Sequence, residues 1–522
     1  MENKKILKVL FLILFLGAFL RIYGISDESF WADEAATVYT TQQKPSEIIE
    51  DIYTTTIHAP EYYDTGGTPP FYFLLANYWA EFIGLSEAKL RLLSAIFGIM
   101  SIYLTFLIGK MIFDFRVGLI SAFIMSINYI HVFYSQESRP YNLVVLLTLL
   151  TVFFLLSALQ KGRARYWAGY VLSSALLVYT HYFGFFVLLF EYLYLLIFWK
   201  QFKNPIKKAF LSALGIFMLY LPWLPAFLKQ LIDKNYGGEF LEKNVAWSFG
   251  KIFVQFNSWF DPDFKTRIGL REAYHSFGSY DSINLSSVTF AGWLTIASVL
   301  LLAALMVYFF LSGIFTQKTS QKKMHFFGSI SLANLKDKKY AFLLLWLVVP
   351  IGIPMLISVF SDSSVFGLVR YVLFASPAYY MLLSKGIADS KRFKTILMVI
   401  AVLNVMPLYS YYSNLDKQQW REAAGYLESS RNLEEFLFVN IPTHVLALNY
   451  YYPHDKNTFG IKNIESFKGK IGNRYSFWLV YTSEAYGDPK GELKAYLDKS
   501  YNVQESKEYV GIRIFHYKAK ES

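Results

Sequence analysis

Long apolar runs punctuated by short basic clusters dominate the chain. Stretches of about 20 residues, enough to cross ~30 Å of hydrocarbon as a helix, occur near 6–24, 89–109, 117–134, 140–159, 166–181, 182–199, 208–228, 288–313, 340–360, 368–387 and 394–411. They predict a polytopic α-helical membrane protein with about eleven transmembrane helices. The segment 69–84, Pro-Pro-Phe-Tyr-Phe-Leu-Leu-Ala-Asn-Tyr-Trp-Ala-Glu-Phe-Ile-Gly, is shorter and rich in Tyr and Trp; it is expected as an interfacial helix on the outer surface. From about Tyr411 the long apolar runs stop and shorter amphipathic segments follow. Helices are expected at Trp420–Ser430, His444–Tyr451 and Gly491–Lys499, and strands at Phe436–Asn440, Ser476–Thr482 and Tyr509–Tyr517, the alternation of a small α/β domain. The expected division is a membrane domain over 1–410, with outer loops at 25–88 and 229–287, and an extracytoplasmic α/β domain over 411–522.

Composition agrees with a membrane chain. Of 522 residues, 54% are hydrophobic and 17% charged, far from the balance of a soluble protein. The formal charge of +11 comes from Lys and Arg gathered in loops between apolar runs, such as Lys161, Arg163 and Arg165, or Lys200, Lys203, Lys207 and Lys208. These are topology signals and do not form the basic face that nucleic acid requires. Every second loop is basic only if 69–84 stays out of the membrane. The N-terminus is then cytoplasmic and the C-terminal domain outside; a crossing at 69–84 would invert every later loop. Lys4–Leu20 has the basic start of a signal peptide but no small-residue cleavage site before Arg21, so it reads as an uncleaved first helix. The chain has no Cys, which excludes a disulfide framework, thiolate metal sites and a cysteine nucleophile.

Behind the first apolar run stands Ile-Ser-Asp-Glu-Ser-Phe-Trp-Ala-Asp-Glu over 25–34, with four carboxylates at Asp27, Glu28, Asp33 and Glu34. Carboxylates at a bilayer edge are costly to desolvate unless they bind a cation, a donor or a substrate. Asp33-Glu34 is therefore the candidate catalytic centre, the alternative being a solvated loop at a helix end. The favoured topology puts this segment, 135–139, 181–184, 229–287, 361–370 and the tail on one face.

Trp31-Ala-Asp33-Glu34, Thr68-Pro69-Pro70-Phe71-Tyr72, Leu90-Arg91-Leu92-Leu93-Ser94, Tyr134-Ser135-Gln136-Glu137-Ser138-Arg139-Pro140-Tyr141 and Thr180-His181-Tyr182-Phe183-Gly184, in this order and spacing, resemble the GT-C membrane glycosyltransferases. The likeness is to the bacterial and archaeal branch near the dolichyl-phosphate-mannose protein mannosyltransferases and the aminoarabinose transferases. It spans roughly residues 1–200, with weaker echoes at Arg370-Tyr371 and Trp420-Arg421-Glu422-Ala423-Ala424. Thr68 stands where relatives often have His, with His58 a distant substitute.

The resemblance implies an inverting transfer of a sugar from a polyprenyl-phosphate carrier to a hydroxyl acceptor on the outer face, with the carrier, the acceptor and membrane lipids as partners. It makes Asp33 the general base and Glu34 its helper. Arg139 and Arg370, with Arg91 and Tyr141 behind them, are the expected phosphate ligands, since guanidinium grips phosphate in a bidentate way; an Arg at that depth also snorkels to lipid headgroups. Tyr134, Gln136, Glu137, Tyr182 and Tyr371 are expected to bind or orient substrate. His181 is a candidate ligand, with Asp33 or Glu34, for a divalent metal, and equally a hydrogen-bonded structural group. Asp261-Pro262-Asp263 reads as a turn. Two other classes remain: a lipid-linked sugar transporter or flippase, which would show mid-membrane charges and related halves, and a non-catalytic relative that binds lipid-linked glycan.

Overall fold

The computed structural model describes residues 2–54, 68–202, 205–232, 252–253, 255–257, 290–315, 337–360, 369–413, 417–452, 456–472 and 474–520. His58, Asp261-Pro262-Asp263 and most of the expected long outer loop lie outside them. The chain falls into two compact units, Met1–Tyr23 with Leu92–Asn414, and Gly24–Arg91 with Leu415–Ser522. The segment expected as a first outer loop thus packs with the C-terminal residues.

The first unit is helical, and each of the expected apolar runs carries helix. Five helices among the described residues are long and apolar enough to cross a membrane, or six if the bent pair Phe115–Ile127 and Tyr129–Ser135 is one span. Several of the expected runs fold into shorter pieces. Ala164–Val178 and Gly184–Ile197 have 15 and 14 residues, and the run near 368–387 begins with two 3-10 turns before its helix Ser376–Asp389. The bend of 61° sits at Asn128, whose side-chain oxygen accepts from the Ile130 N–H at 3.2 Å and whose amide donates to the Phe256 carbonyl at 3.1 Å. Asn is a good helix cap because it offers the freed backbone a local partner.

Arg21, fully buried at the end of the Glu2–Ile22 helix, donates to the Ser126 and Met125 carbonyls at 3.0 and 3.1 Å. Those are among the last carbonyls of the Phe115–Ile127 helix, which have no partner within the helix and carry its negative end. A buried guanidinium is tolerated there because it answers both needs.

The second unit is built on a five-stranded sheet of β1 (Phe436–Val439), β2 (Thr458–Gly460), β3 (Ser476–Thr482), β4 (Tyr501–Tyr509) and β5 (Ile512–Ala519), in the order β2-β1-β3-β5-β4. β2, β1 and β3 are parallel; β5 and β4 add an antiparallel hairpin. Alternation along β3 feeds two cores. Trp478 and Val480 join Leu437, Trp420, Leu427 and Val445 on one face, while Phe477, Leu479 and Tyr481 join Phe438, Phe467 and Leu497 on the other. Ala35, from the helix Ala32–Thr41, belongs to the first core.

The expected elements of the tail form, with β5 beginning three residues later than the pattern placed it. Strands β2 and β4 and the helix Ile464–Ile471 were not legible. β4 is an edge strand exposed along nearly its whole length, so it shows no apolar alternation. Gly511, in the two-residue turn between β4 and β5, has φ +69° and lies where a Cβ would stand 2.9 Å from Gln418 Cγ. Gly511→Ala is expected to destabilise this unit by about 1 kcal/mol or more, read as a lower melting temperature of the purified protein in detergent.

Candidate functional site

The acidic segment is sorted by burial. Asp27 is exposed, Glu28 and Asp33 are half-buried, and Glu34 is fully buried. The helix Ala32–Thr41 carries Asp33 and Glu34 in its first turn, where its positive end favours acids. Arg91 grips Glu34 in a fork, Nε to Oε1 at 2.8 Å and Nη2 to Oε2 at 2.7 Å, and Lys417 Nζ reaches Oε2 at 3.1 Å. Both cations are buried. The remaining N–H groups of Arg91 go to the carbonyls of Ile25, Glu28 and Ser29 at 2.8–3.0 Å, so all five donors of the guanidinium are engaged.

More ties fix this segment within its unit. The Lys417 backbone N–H donates to Glu28 Oε1 at 2.8 Å, and that of Arg421 to Ser29 Oγ at 3.2 Å. Glu87 accepts from Arg421 at 2.5 Å and from the Tyr451 hydroxyl at 2.7 Å, and that hydroxyl in turn accepts the Phe30 N–H at 2.7 Å. Burial opposes ionisation of Glu87, but the bonds from Arg421 and Tyr451 outweigh it and hold its pKa below the ordinary value. His444 is almost fully buried; burial pulls its pKa down to about 4 although the Asp33 charge acts the other way.

In the first unit, Arg370 lies over the rings of Tyr141 and Tyr371, its guanidinium carbon 5.6 and 5.3 Å from their centroids. Tyr141 meets Tyr134 edge-on at 5.3 Å, and Tyr371 packs against His181 at 5.7 Å. Withdrawal of His181 from water, then the charges of Arg139 and Arg370, pull its pKa down to about 4. The structure thus gathers Arg139, Arg370, Tyr134, Tyr141, Tyr371 and His181, which in sequence span 134–371.

Other expected residues are committed elsewhere or buried. Gln136 donates to the carbonyls of Leu20, Arg21 and Tyr23 and accepts from the Tyr411 hydroxyl at 2.6 Å, so it caps the end of the first helix. Tyr182 bonds Gln230 and accepts from Trp223 Nε1 at 3.2 Å. Arg91 has no donor left for a phosphate. Glu34, neutralised by two cations, is a poor proton acceptor. Glu137 is buried.

The candidate metal set does not fit. Glu34 already answers Arg91 and Lys417, and His181 feels two guanidinium charges that repel a divalent cation. Among the described residues no group of three or more His, Asp or Glu is arranged to hold a metal. Lys417 and His444 were not singled out from sequence. Both lie in a tail that reads as a separate soluble domain, and neither residue belongs to a local motif.

Removing one partner of a buried ion pair strands the other charge. Arg91→Met is therefore expected to destabilise the protein by roughly 3–5 kcal/mol. Arg421→Met, at a pair in which Arg421 is 41% exposed, is expected to cost about 1 kcal/mol or less. Thermal unfolding of the two variants in detergent checks the difference.

Residues 67–225 match the family described as Dolichyl-phosphate-mannose-protein mannosyltransferase. No curated protein matches the chain in sequence. Among solved structures, the Archaeoglobus fulgidus oligosaccharyltransferase in its apo form is similar with a TM-score of 0.55 at 14% identity, over 99% of this chain and 74% of that one. The same organism's oligosaccharyltransferase AglB, in complex with an inhibitory peptide and a dolichol-phosphate, gives 0.52 at 14%, over 100% and 75%. ArnT from Cupriavidus metallidurans, bound to undecaprenyl phosphate, gives 0.45 at 12%, over 98% and 97%. The chain has the fold of the GT-C glycosyltransferase superfamily.

Proposed function

We propose that the chain transfers a sugar from a polyprenyl-phosphate donor to a hydroxyl acceptor, with inversion, on the outer face of a cell membrane. The observation that carries this reading is the cluster of Arg139 and Arg370 with His181, Tyr141 and Tyr371. Two guanidiniums beside an imidazole kept neutral suit a phosphate that gains charge as the glycosidic bond breaks. The match to a dolichyl-phosphate-mannose-dependent family and the likeness to an oligosaccharyltransferase complexed with dolichol-phosphate support the same donor class.

Asp33 is the general base of this reading. Its neighbour Glu34 is locked by Arg91 and Lys417, which fixes the first helical turn that carries Asp33, and a carboxylate so placed is the residue type that takes the acceptor's proton. As the bond from the anomeric carbon to the phosphate oxygen breaks, its electrons pass to the phosphate. The acceptor oxygen attacks from the opposite face, and its proton goes to Asp33. Arg139 and Arg370 balance the leaving charge, while Tyr141 and Tyr371 hold the Arg370 plane. This reading puts the second unit outside the membrane and the N-terminus in the cytoplasm, as the alternation of basic loops supports.

Asp33→Asn is expected to abolish transfer from a panel of polyprenyl-phosphate sugars to membrane extract while donor binding persists. Transfer equal to wild type would end the base assignment. Arg139→Ala and Arg370→Ala are each expected to weaken donor binding about tenfold or more, the scale of one charge-assisted contact, as measured by equilibrium binding of the same donors.

A further inference from the structure

The sheet of the second unit has a place where its connections part. The chain leaves the carboxyl end of β1 for the helix Val445–Tyr451, which packs into the core of one face. It leaves the carboxyl end of β3 toward the helix Glu492–Ser500, which packs into the other. β1 and β3 are parallel neighbours. Where neighbouring parallel strands send their connections to opposite faces, open α/β sheets bind their ligands in a crevice at the carboxyl ends of the strands.

The groups at this crevice are polar. Asn440, just past β1, exchanges two hydrogen bonds with the Thr482 backbone at 2.8 and 2.9 Å. Gln418 donates to Thr482 Oγ1 at 2.6 Å and to Ser483 Oγ at 3.0 Å. Ser483 has φ +45°, a left-handed conformation that non-glycine residues hold at a cost and that gathers at functional sites. His444 closes the turn after β1, with Trp420 edge-on at 5.8 Å. Its Nδ1 is buried with no hydrogen-bond partner among the described residues, as is Nε1 of Trp31. The helix Ala32–Thr41 packs against this turn, and the Asp33 charge reaches His444.

We propose that this crevice, walled by Gln418, His444 and Ser483 beside Asp33, is the acceptor subsite and that it takes a carbohydrate. A single hydroxyl, from a Ser or Thr side chain or a lipid alcohol, reaches the base and leaves the His444 nitrogen unanswered. A sugar brings neighbouring hydroxyls, and one of these meets the His444 ring nitrogen that the protein leaves unanswered. A site built to hydrogen-bond a second hydroxyl rejects acceptors that lack it. The proposal rests on the reading of Asp33 as the base at the acceptor, and it makes the C-terminal residues part of substrate recognition.

The test is equilibrium binding of p-nitrophenyl hexosides and pentosides to the full-length protein in detergent, with a Ser/Thr peptide and a long-chain alcohol for comparison. Saturable binding of a glycoside is expected, about tenfold weaker in His444→Phe, with the peptide and the alcohol at background. The ring of Phe keeps the contact with Trp420 and removes the unsatisfied nitrogen, so the melting temperature is expected to stay level or rise. A purely structural His would lower it and leave glycoside affinity alone. Should His444→Phe fail to fold, the His444 imidazole signals of 15N-histidine-labelled protein carry the test: they shift on saturation with glycoside. The proposal is overturned by absence of glycoside binding, by equal affinity in His444→Phe, by unshifted signals, or by the peptide or alcohol taking the site. Asp33→Asn in the transfer assay reads the underlying function separately, so either can fail alone.

Discussion

A carboxylate taken fully out of water governs the second unit. Desolvating Glu34 costs several kcal/mol, and that cost is met only if cations and hydrogen bonds replace the lost water in good geometry. Arg91 and Lys417 do this from opposite ends of the sequence, 57 residues after Glu34 and 383 residues after it. Because Arg91 spends its other donors on the carbonyls of Ile25, Glu28 and Ser29, the pair that stabilises the charge also fixes the loop that enters the helix. The acidic segment and the C-terminal residues therefore form one folded object. Loosening either cation would release the loop, the helix start and the approach of Asp33 to the turn at His444 together.

This arrangement divides labour between adjacent acids. Proton abstraction needs a carboxylate whose charge is not already claimed, whereas orientation needs one held fast. Glu34, held by Arg91 and Lys417, has the second property; the proposed mechanism gives proton abstraction to Asp33, half-buried beside it. In the first unit the same rule applies with opposite sign. Burial and the charges of Arg139 and Arg370 hold the pKa of His181 down to about 4, so the imidazole adds no third positive charge beside them. Arg21, whose terminal nitrogens go to the Gly17, Met125 and Ser126 carbonyls, is a cation committed to structure.

Much of the fold could be read from the sequence because hydrophobic length and period are strong signals. The apolar runs became helix, and β3 formed over the residues its pattern marked. What escaped were elements without such a signal. β4 is solvated along its length, and Ile464–Ile471 is an eight-residue helix whose start rests on a capping box between Asn463 and Ser466. At the site, the resemblance was enough to single out Arg139, Arg370, Tyr141, Tyr371 and His181, which the fold gathers. It was not enough for Arg91 and Gln136. Whether a guanidinium or a carboxamide has donors to spare depends on carbonyls up to 116 residues away in sequence, and no local motif records that.

The position of His444 follows from the same long-range logic. A buried ring nitrogen without a partner is a defect if the sheet is considered alone, because an apolar ring of similar shape would pack there at less cost. It stands where two parallel strands send their connections to opposite faces, and next to the carboxylate that the Glu34 clamp orients. Selection for stability alone would remove both the nitrogen and the left-handed Ser483. Their joint presence at that point is the pattern expected where a fold gives up stability to hold a polar ligand.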